Sequence, residues 1–225
     1  MNDNSVELIG FYGSDEIHAC SAWTSTSRTL TEEKKNRVPK LLKDLAQNGH
    51  ETPFEKSIVH FLVDTDIASH IHLLKHRISS LNAESARYKE LKEDKYYLPN
   101  DWKNTPASFI IDKFGTTIDT HGETWESVLQ EYTELGNELY HSCLEQIEPI
   151  VGRKRAKESA RFFKTYNSQI QADIMFNWRS FVNFQKLRNS PHAQKEIREI
   201  AVEMLRLVKE IPNNPFEHTL SAFNL

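Results

Sequence analysis

The sequence predicts an α/β (α+β) chain in one domain, on three observations. Runs of β-branched and aromatic residues at 6–12, 57–63 and 165–176 read as strands. Apolar residues recur at helical spacing over 67–74, 121–147, 177–188 and the stretch after Ser190. No linker, repeat or low-complexity segment divides the 225 residues, a length that buries a full core.

Strand 6–12 (VELIGFY) ends at Gly13. The hydroxyl-rich run 20–29 (CSAWTSTSRT) reads as a turn leading to Thr31, an N-cap with Glu32 and Glu33 in the first turn of a helix that ends near Asn48 and Gly49. Pro39 either kinks that helix or marks its true start. Residues 50–55 (HETPFE) make a polar connection to strand 57–63 (SIVHFLV). Asp66 caps a helix whose apolar face is Ile67, Ile71 and Leu74, which places His72, Lys75 and His76 on other faces. The helical period is lost from Asn82, so 82–88 is expected as a loop fed by a rigid helix, a favoured place for a site.

Helix 121–147 carries the stripe Trp125, Val128, Leu129, Tyr132, Leu135, Leu139, Cys143 and Ile147, with Cys143 as a core thiol. A helix follows at 153–163, residues 165–176 alternate loosely as a strand, and Asn177 caps a helix that turns Trp178, Phe181 and Phe184 inward. Ser190 and Pro191 open the last helix as N-cap and first helical residue. Its apolar face is Ile197, Ile200, Ala201, Met204, Leu207, Val208 and Ile211, and Pro212 stops it.

Composition excludes several classes. With 38% hydrophobic residues, 10% aromatics and no apolar run near the roughly 20 residues a membrane helix needs, no membrane association is expected. The opening MNDNSVELIGFYG has no basic leader before an apolar core, so no signal or transit peptide is expected and the expected address is cytoplasmic. Cys20 and Cys143 lack C-x-x-C spacing and read as core residues in a reducing compartment. A net charge of -4 argues against general nucleic-acid binding. The basic run of Arg153, Lys154, Arg155, Lys157 and Arg161 reads as a solvated helix face.

Residues 72–88 (HLLKHRISSLNAESARY) concentrate His76, Arg77, Ser79, Ser80, Asn82, Glu84, Ser85 and Arg87, a density that an unpaired core would not tolerate. Something polar and anionic is expected here, whether substrate, cofactor or partner helix. A second concentration, 177–188 (NWRSFVNFQKLR), places Arg179 and Asn183 a turn apart on one face. His72 and His76, with His70 nearby, have spacing for a shared ion, yet Lys75 and Arg77 would repel it and no metal is expected. The seven glycines form neither a P-loop nor G-x-G-x-x-G, so any nucleotide must be held by side chains. Arg77, Arg87, Arg161, Arg179 and Arg188 have the forked guanidinium for it, although an arginine taken alone is more often a surface residue than a ligand.

KHRISSLNAESARY (75–88) resembles the signature of the flavin-dependent thymidylate synthase family, ThyX: Arg-His-Arg, seven residues, Ser, then Ala-Arg-Tyr. His76, Arg77, Asn82, Ser85, Arg87 and Tyr88 keep it. GHETPFE (49–55) and NWRSFVNFQKLRNSPHAQKEIR (177–198) resemble two further family motifs in the same order. The resemblance implies a homotetramer with a central mixed or antiparallel sheet flanked by helices and with active sites shared between subunits. It implies conversion of dUMP to dTMP with FAD, methylenetetrahydrofolate and NADPH. By the same resemblance Ser27, His50, Thr52, Glu55, Lys75, His76, Arg77, Asn177, Arg179, Asn183 and His192 surround the flavin. His72, Glu84, Ser85, Ala86, Arg87, Arg161, Leu187 and Arg188 surround the nucleotide.

The residues suit that chemistry. Cys20 lacks a neighbouring cationic motif and Cys143 sits on an apolar stripe, so no activated thiolate is visible to attack the uracil ring, and a flavin can supply the reducing chemistry instead. Arg188 is expected to stabilise negative charge on the ring, and Arg87 and Arg161 to hold the phosphate. Ser85 has no visible general base and is expected to hydrogen-bond the phosphate. Four departures stand out: Lys75 for the family's arginine, Ala83 for its glutamate, His72 for its glutamine, and Lys164 and Thr165 for Leu-Pro. They leave open another pyrimidine nucleotide, UMP or dCMP, a hydroxymethyl product, or a non-catalytic nucleotide-binding homologue.

Overall fold

The computed structural model describes residues 3–113 and 116–225. Its elements begin with strand β1 (Ser5–Tyr12), helices α1 (Asp15–Trp23), α2 (Glu32–Lys35) and α3 (Val38–Gln47), strand β2 (Ile58–Asp66), helix α4 (Ile67–Leu74) and strand β3 (Ser80–Ala83). There follow strands β4 (Ile110–Lys113) and β5 (Thr116–Asp119), helices α5 (Trp125–Val151) and α6 (Arg153–Ala160), strand β6 (Gln169–Asn177), and helices α7 (Trp178–Arg188), α8 (Lys195–Lys209) and α9 (Glu217–Ala222). The main sheet has the order β1-β2-β6-β3, and β4 and β5 form a separate hairpin. The chain divides into two compact units, the first made of residues 1–3, 65–70 and 83–170, the second of 4–64, 71–82 and 171–225.

In the second unit β1 pairs antiparallel with β2 from Ser5 opposite Asp64 to Tyr12 opposite Ile58, with a bulge between Leu8 and Gly10. Phe61, Phe176, Trp178, Phe181, Phe184, Ile197 and Phe216 are fully buried around it. Thr31 caps α2 as expected, but Pro39 marks the start of a separate helix, α3, because proline fits only the first turn. Asn177 accepts the Ser180 amide at 2.9 Å, and Trp178, Phe181 and Phe184 turn inward. The face of α8 is buried as read, with Leu207 only half-buried.

Several expectations need correction here. Cys20 to Trp23 are helical, not a turn, because Ser14 caps α1 by accepting the Ile17 amide and Asp15 and Glu16 supply acid to its first turn. On α4 it is Leu73 that is buried, while Ile71 and Leu74 are exposed, because the buried positions fall one residue off the predicted stripe. Asn82 belongs to edge strand β3, so the loop starts at Glu84. Ser190 and Pro191 lie in a turn closed by the Ala193 amide on the Ser190 carbonyl, and α8 starts only at Lys195. Beyond Pro212 the chain forms α9, which had no expected counterpart.

In the first unit the hairpin of β4 and β5, with Ile110 opposite Asp119, was not anticipated. The capping box of Thr124 and Ser127 starts α5 at Trp125 rather than at His121. This helix buries Thr133, Gly136, Asn137, Tyr140 and Leu144 and leaves Trp125, Tyr132, Leu135 and Leu139 of the predicted stripe exposed, while its other members, Val128, Leu129, Cys143 and Ile147, are half-buried and the last two pack beside Tyr140 and Leu144. Close approach decides the choice: a Cβ on Gly136 would stand 2.7 Å from the Phe163 carbonyl oxygen, and Thr133 lies 3.2 Å from the Asn167 side chain. The expected strand from residue 165 begins at Gln169, after a turn in which Thr165 bonds Asn167. Cys20 and Cys143 are half-buried rather than fully buried. No helix among the described residues is long and apolar enough to cross a membrane.

Candidate active site

In the second unit helix α7 grows directly out of β6, and its buried aromatic side pins the helix so that Arg179, Asn183 and Leu187 face solvent and Arg188 is half-buried. Arg179 donates from Nε to Glu51 at 3.1 Å and from Nη1 to Glu55 at 2.7 Å. Both carboxylates come from the short 3-10 turn of GHETPFE, which is anchored by fully buried Phe54. Their pull raises the guanidinium pKa of Arg179, so it stays charged throughout the ordinary range.

His76 closes the C-terminal end of α4 and is buried, with Phe184 edge-on at 4.9 Å. Arg188 donates from Nε to His76 Nε2 at 3.0 Å. Since arginine does not give up its proton, Nε2 must be the acceptor, and the imidazole carries its hydrogen on Nδ1. Burial first, then the charges of Arg188 and His72, lowers the His76 pKa to about 4, so the ring is neutral near pH 7. The Nη groups of Arg188 are left without a partner among the described residues.

These side chains, with Lys75, Arg77, Ile78 and Ser180, line a cleft of about 570 Å³. Four cations face two carboxylates there, a balance that suits an anionic ligand. Of the residues expected around a flavin, Glu55, Lys75, His76, Arg77, Arg179 and Asn183 line it, as do Leu187 and Arg188 from the nucleotide set. Glu51, Ile78 and Ser180 were missed, although Glu51 lies inside the GHETPFE motif between His50 and Thr52, which was the available signal. Asn177 uses its side-chain oxygen as a helix cap. Ser27 accepts Lys34 Nζ on its backbone carbonyl. His50, Thr52 and His192 are exposed, and His72 is half-buried on α4.

Glu84, Ser85, Ala86, Arg87 and Arg161 belong to the first unit, so the expected nucleotide set is divided between the units. The Ser85 carbonyl accepts the Tyr88 and Lys89 amides, both at 3.0 Å, which makes a tight turn. Arg87 donates from Nε to Glu158 at 2.8 Å and lies over the Tyr88 ring, while Glu84 accepts Lys89 at 2.7 Å. Arg161 is exposed in a short 3-10 turn. A cleft of about 480 Å³ opens beside residues 88–95. The basic run is more than a solvated face: Arg153 bonds Glu90 and Glu148, and Lys157 bonds the Tyr88 carbonyl. Lys164, which replaces part of the family's Leu-Pro, is buried between Asp94 and Asn137 with its ammonium 4.5 Å from the Tyr140 ring centre.

A family model described as thymidylate synthase complementing protein matches residues 7–213. The flavin-dependent thymidylate synthase of Pseudothermotoga lettingae is 31% identical over 206 residues, 92% of this chain and 85% of that protein. That of Thermotoga neapolitana is 31% identical over 210 residues, 93% of this chain and 88% of that protein. Among solved structures, the UMP/dUMP methylase PolB from Streptomyces cacaoi bound with 5-Br dUMP is similar with a TM-score of 0.77 at 26% identity, covering 99% of this chain and 95% of that one. The same methylase bound with 5-Br UMP gives a TM-score of 0.74 at 27% identity, covering 99% and 94%. With the three motifs in order, a mixed α/β fold around an antiparallel strand pair, and a family match that runs through both units, the chain belongs to the thymidylate synthase complementing proteins, the flavin-dependent thymidylate synthases.

Proposed function

We propose that the protein is a flavin-dependent thymidylate synthase that methylates dUMP at C5 to give dTMP, using FAD, methylenetetrahydrofolate as carbon donor and NADPH as reductant. The observation that carries this reading is Arg188, a guanidinium fixed through Nε by a neutral imidazole in a cationic cleft, inside the family's third motif. In chemistry the donor set fits a flavin dinucleotide: Arg77, Arg179 and Lys75 suit its pyrophosphate, and Asn183 and His76 suit the polar edge of its ring. Ser27, His50, Thr52, Glu55, Asn177 and His192 complete that proposed set. When bound, the flavin supplies the reducing chemistry of methyl formation.

The chain's own residues bind, orient and polarise. Arg188 stabilises negative charge as it develops on the uracil ring, at the moment when a preorganised donor counts most. Ser85, Arg87 and Arg161 hold the phosphate, and His72, Glu84, Ala86 and Leu187 shape the nucleotide's surroundings. Neither cysteine lines either cleft among the described residues, so the reading uses no thiolate. It includes a cytoplasmic homotetramer with shared sites, supported by the exposed apolar side chains of α4 and α5.

The test is the visible spectrum of the purified protein with added FAD, followed by release of tritium from C5-labelled dUMP in the presence of methylenetetrahydrofolate. A flavin spectrum with release is expected; a protein that takes up no FAD and releases no tritium overturns the reading. A second reading is favoured by the similarity to a UMP/dUMP methylase: the site also accepts UMP. Lys75 and Ala83 are the departures that motivate the comparison. Tritium release from UMP, with the product mass to tell methyl from hydroxymethyl, decides it.

A further inference from the structure

Asp15, His18, Ser57 and Thr219 are buried polar side chains of the second unit that the proposed reaction does not use. They form one directional hydrogen-bond chain. The Thr219 hydroxyl donates to Asp15 Oδ1 at 2.5 Å, so its oxygen accepts from His18 Nδ1–H at 2.9 Å. His18 Nε2, left without a proton, accepts from the Ser57 hydroxyl. The Asp15 carboxylate also accepts the His218 and Thr219 amides, both at 2.8 Å. The polarity is that of a nucleophile relay, yet Ser57 is fully buried and a Cβ on neighbouring Gly13 would collide with it, so no acyl group reaches its oxygen.

What the chain joins points elsewhere. Ser57 directly follows the 3-10 turn that carries Glu55, and its carbonyl accepts the amide of Trp178, the first residue of α7, at 3.2 Å. The segment containing Thr219 reaches the same two elements from its other end. Phe223 packs edge-on against Phe54 at 4.8 Å with Lys186 Nζ 5.7 Å from its ring, and Phe216 lies 4.7 Å from Trp178. Residues 214–225 lie beyond those the family model matches. A fully satisfied buried polar network specifies one geometry, and losing one member leaves its neighbours unsatisfied.

We infer that the segment 216–223, acting through Thr219, His18 and Ser57, positions the Glu51 to Glu55 turn and the start of α7 so that Arg179 is held ready for the flavin. Thr219 and His18 are positioning residues and do not line the cleft. The flavin consequence rests on the function proposed above; the mechanical coupling does not.

The experiment compares Thr219→Val, which removes the hydroxyl at constant shape, with Thr219→Ser, which keeps it. Amide hydrogen exchange is followed in the full-length chain well below each variant's Tm. In Thr219→Val the amides of Phe54 and Trp178 exchange at least about tenfold faster while those of β1 stay near wild type, and in Thr219→Ser they stay within about twofold. FAD, titrated by its fluorescence, binds Thr219→Val about tenfold more weakly and Thr219→Ser normally. Unchanged exchange at Phe54 and Trp178, equal acceleration across β1, or local acceleration with undiminished FAD affinity each overturn the inference. If the wild type takes up no FAD, the proposed function fails and the exchange comparison alone decides the coupling. Should Thr219→Val not fold, Ser57→Ala, which cuts the relay at its other end by removing the hydroxyl that His18 Nε2 accepts, is read in the same way and is expected to act in the same direction.

Discussion

In the cleft of the second unit Arg188 is fixed by a neutral imidazole, whereas in the first unit Arg87 is fixed by the Glu158 carboxylate. The first arrangement orients a guanidinium without neutralising it, so its full charge is available to a ligand. The second already compensates the charge, and the same holds for Lys89 with Glu84 and for Arg153 with Glu90 and Glu148. An anion reaching Arg87 has to compete with a carboxylate, as does one reaching Arg179 between Glu51 and Glu55, while one reaching Arg188 meets a cation that is ready. The difference matches the proposed roles: charge that develops during reaction needs a preorganised donor, and a phosphate that binds and leaves tolerates exchangeable partners.

The largest expected break in this comparison is Arg188→Ala. It should lower kcat by roughly 100- to 1,000-fold, the cost of losing one preorganised donor, with FAD still bound in the visible spectrum. Next comes the acid limit of the second unit. Burial lowers the His18 pKa to about 4 from an unfolded value of 6.5, so below 6.5 the unfolded chain takes up a proton that the folded chain refuses. Stability is therefore flat above that pH and falls as pH drops toward about 4, by about 3 kcal/mol, because each tenfold difference in proton affinity between the two states is worth about 1.4 kcal/mol. Denaturant titrations of wild type and His18→Asn across that range isolate the contribution. Burial raises the pKa of Asp15 and works in the opposite sense, losing stability as pH rises above its ordinary 3.8, but it is common to both proteins.

A smaller effect is expected from His76→Phe, which removes the acceptor that orients Arg188. Turnover should fall about tenfold, whereas His76→Gln, which can still accept, should lose less. The smallest concerns the first unit, where Glu158→Gln removes the carboxylate competing for Arg87. Calorimetric titration with dUMP should show binding tighter by about two- to threefold, the scale of a partly exposed ion pair; weaker binding would mean that Glu158 orients Arg87 rather than competing for the nucleotide.

The sequence was most legible where one local rule decides the outcome. Thr31, Asp66 and Asn177 cap as read, because a side-chain oxygen meeting the amide three residues on is a purely local matter. The cleft residues of α7 followed from three aromatics that could only face inward. The errors arose where two faces compete. The apolar stripe of α5 was real, but Gly136 and Thr133 allow the opposite face the closer approach within its unit, and apolar periodicity carries no information about approach distance. In α1 the cap at Ser14 was overlooked because the hydroxyl-rich run after it was given too much weight. The Asp15–Thr219 contact spans 204 residues, and no window along the chain exposes it.

Trp178 adds an optical consequence to its structural place. Its indole is fully buried between Phe216 and Phe181, and its N–H finds no acceptor among the described residues. An indole shielded from water and polar dipoles emits toward the blue, whereas Trp102 and Trp125 are both 40% exposed and emit closer to the colour of free tryptophan. The protein thus carries its own lamp at the junction of the GHETPFE turn, α7 and the segment beyond Pro212. Because Trp23 is buried as well, at 9% exposure, the reading is made in Trp23→Phe, where reddening of the blue emission before the bulk melt would time the moment when the junction opens.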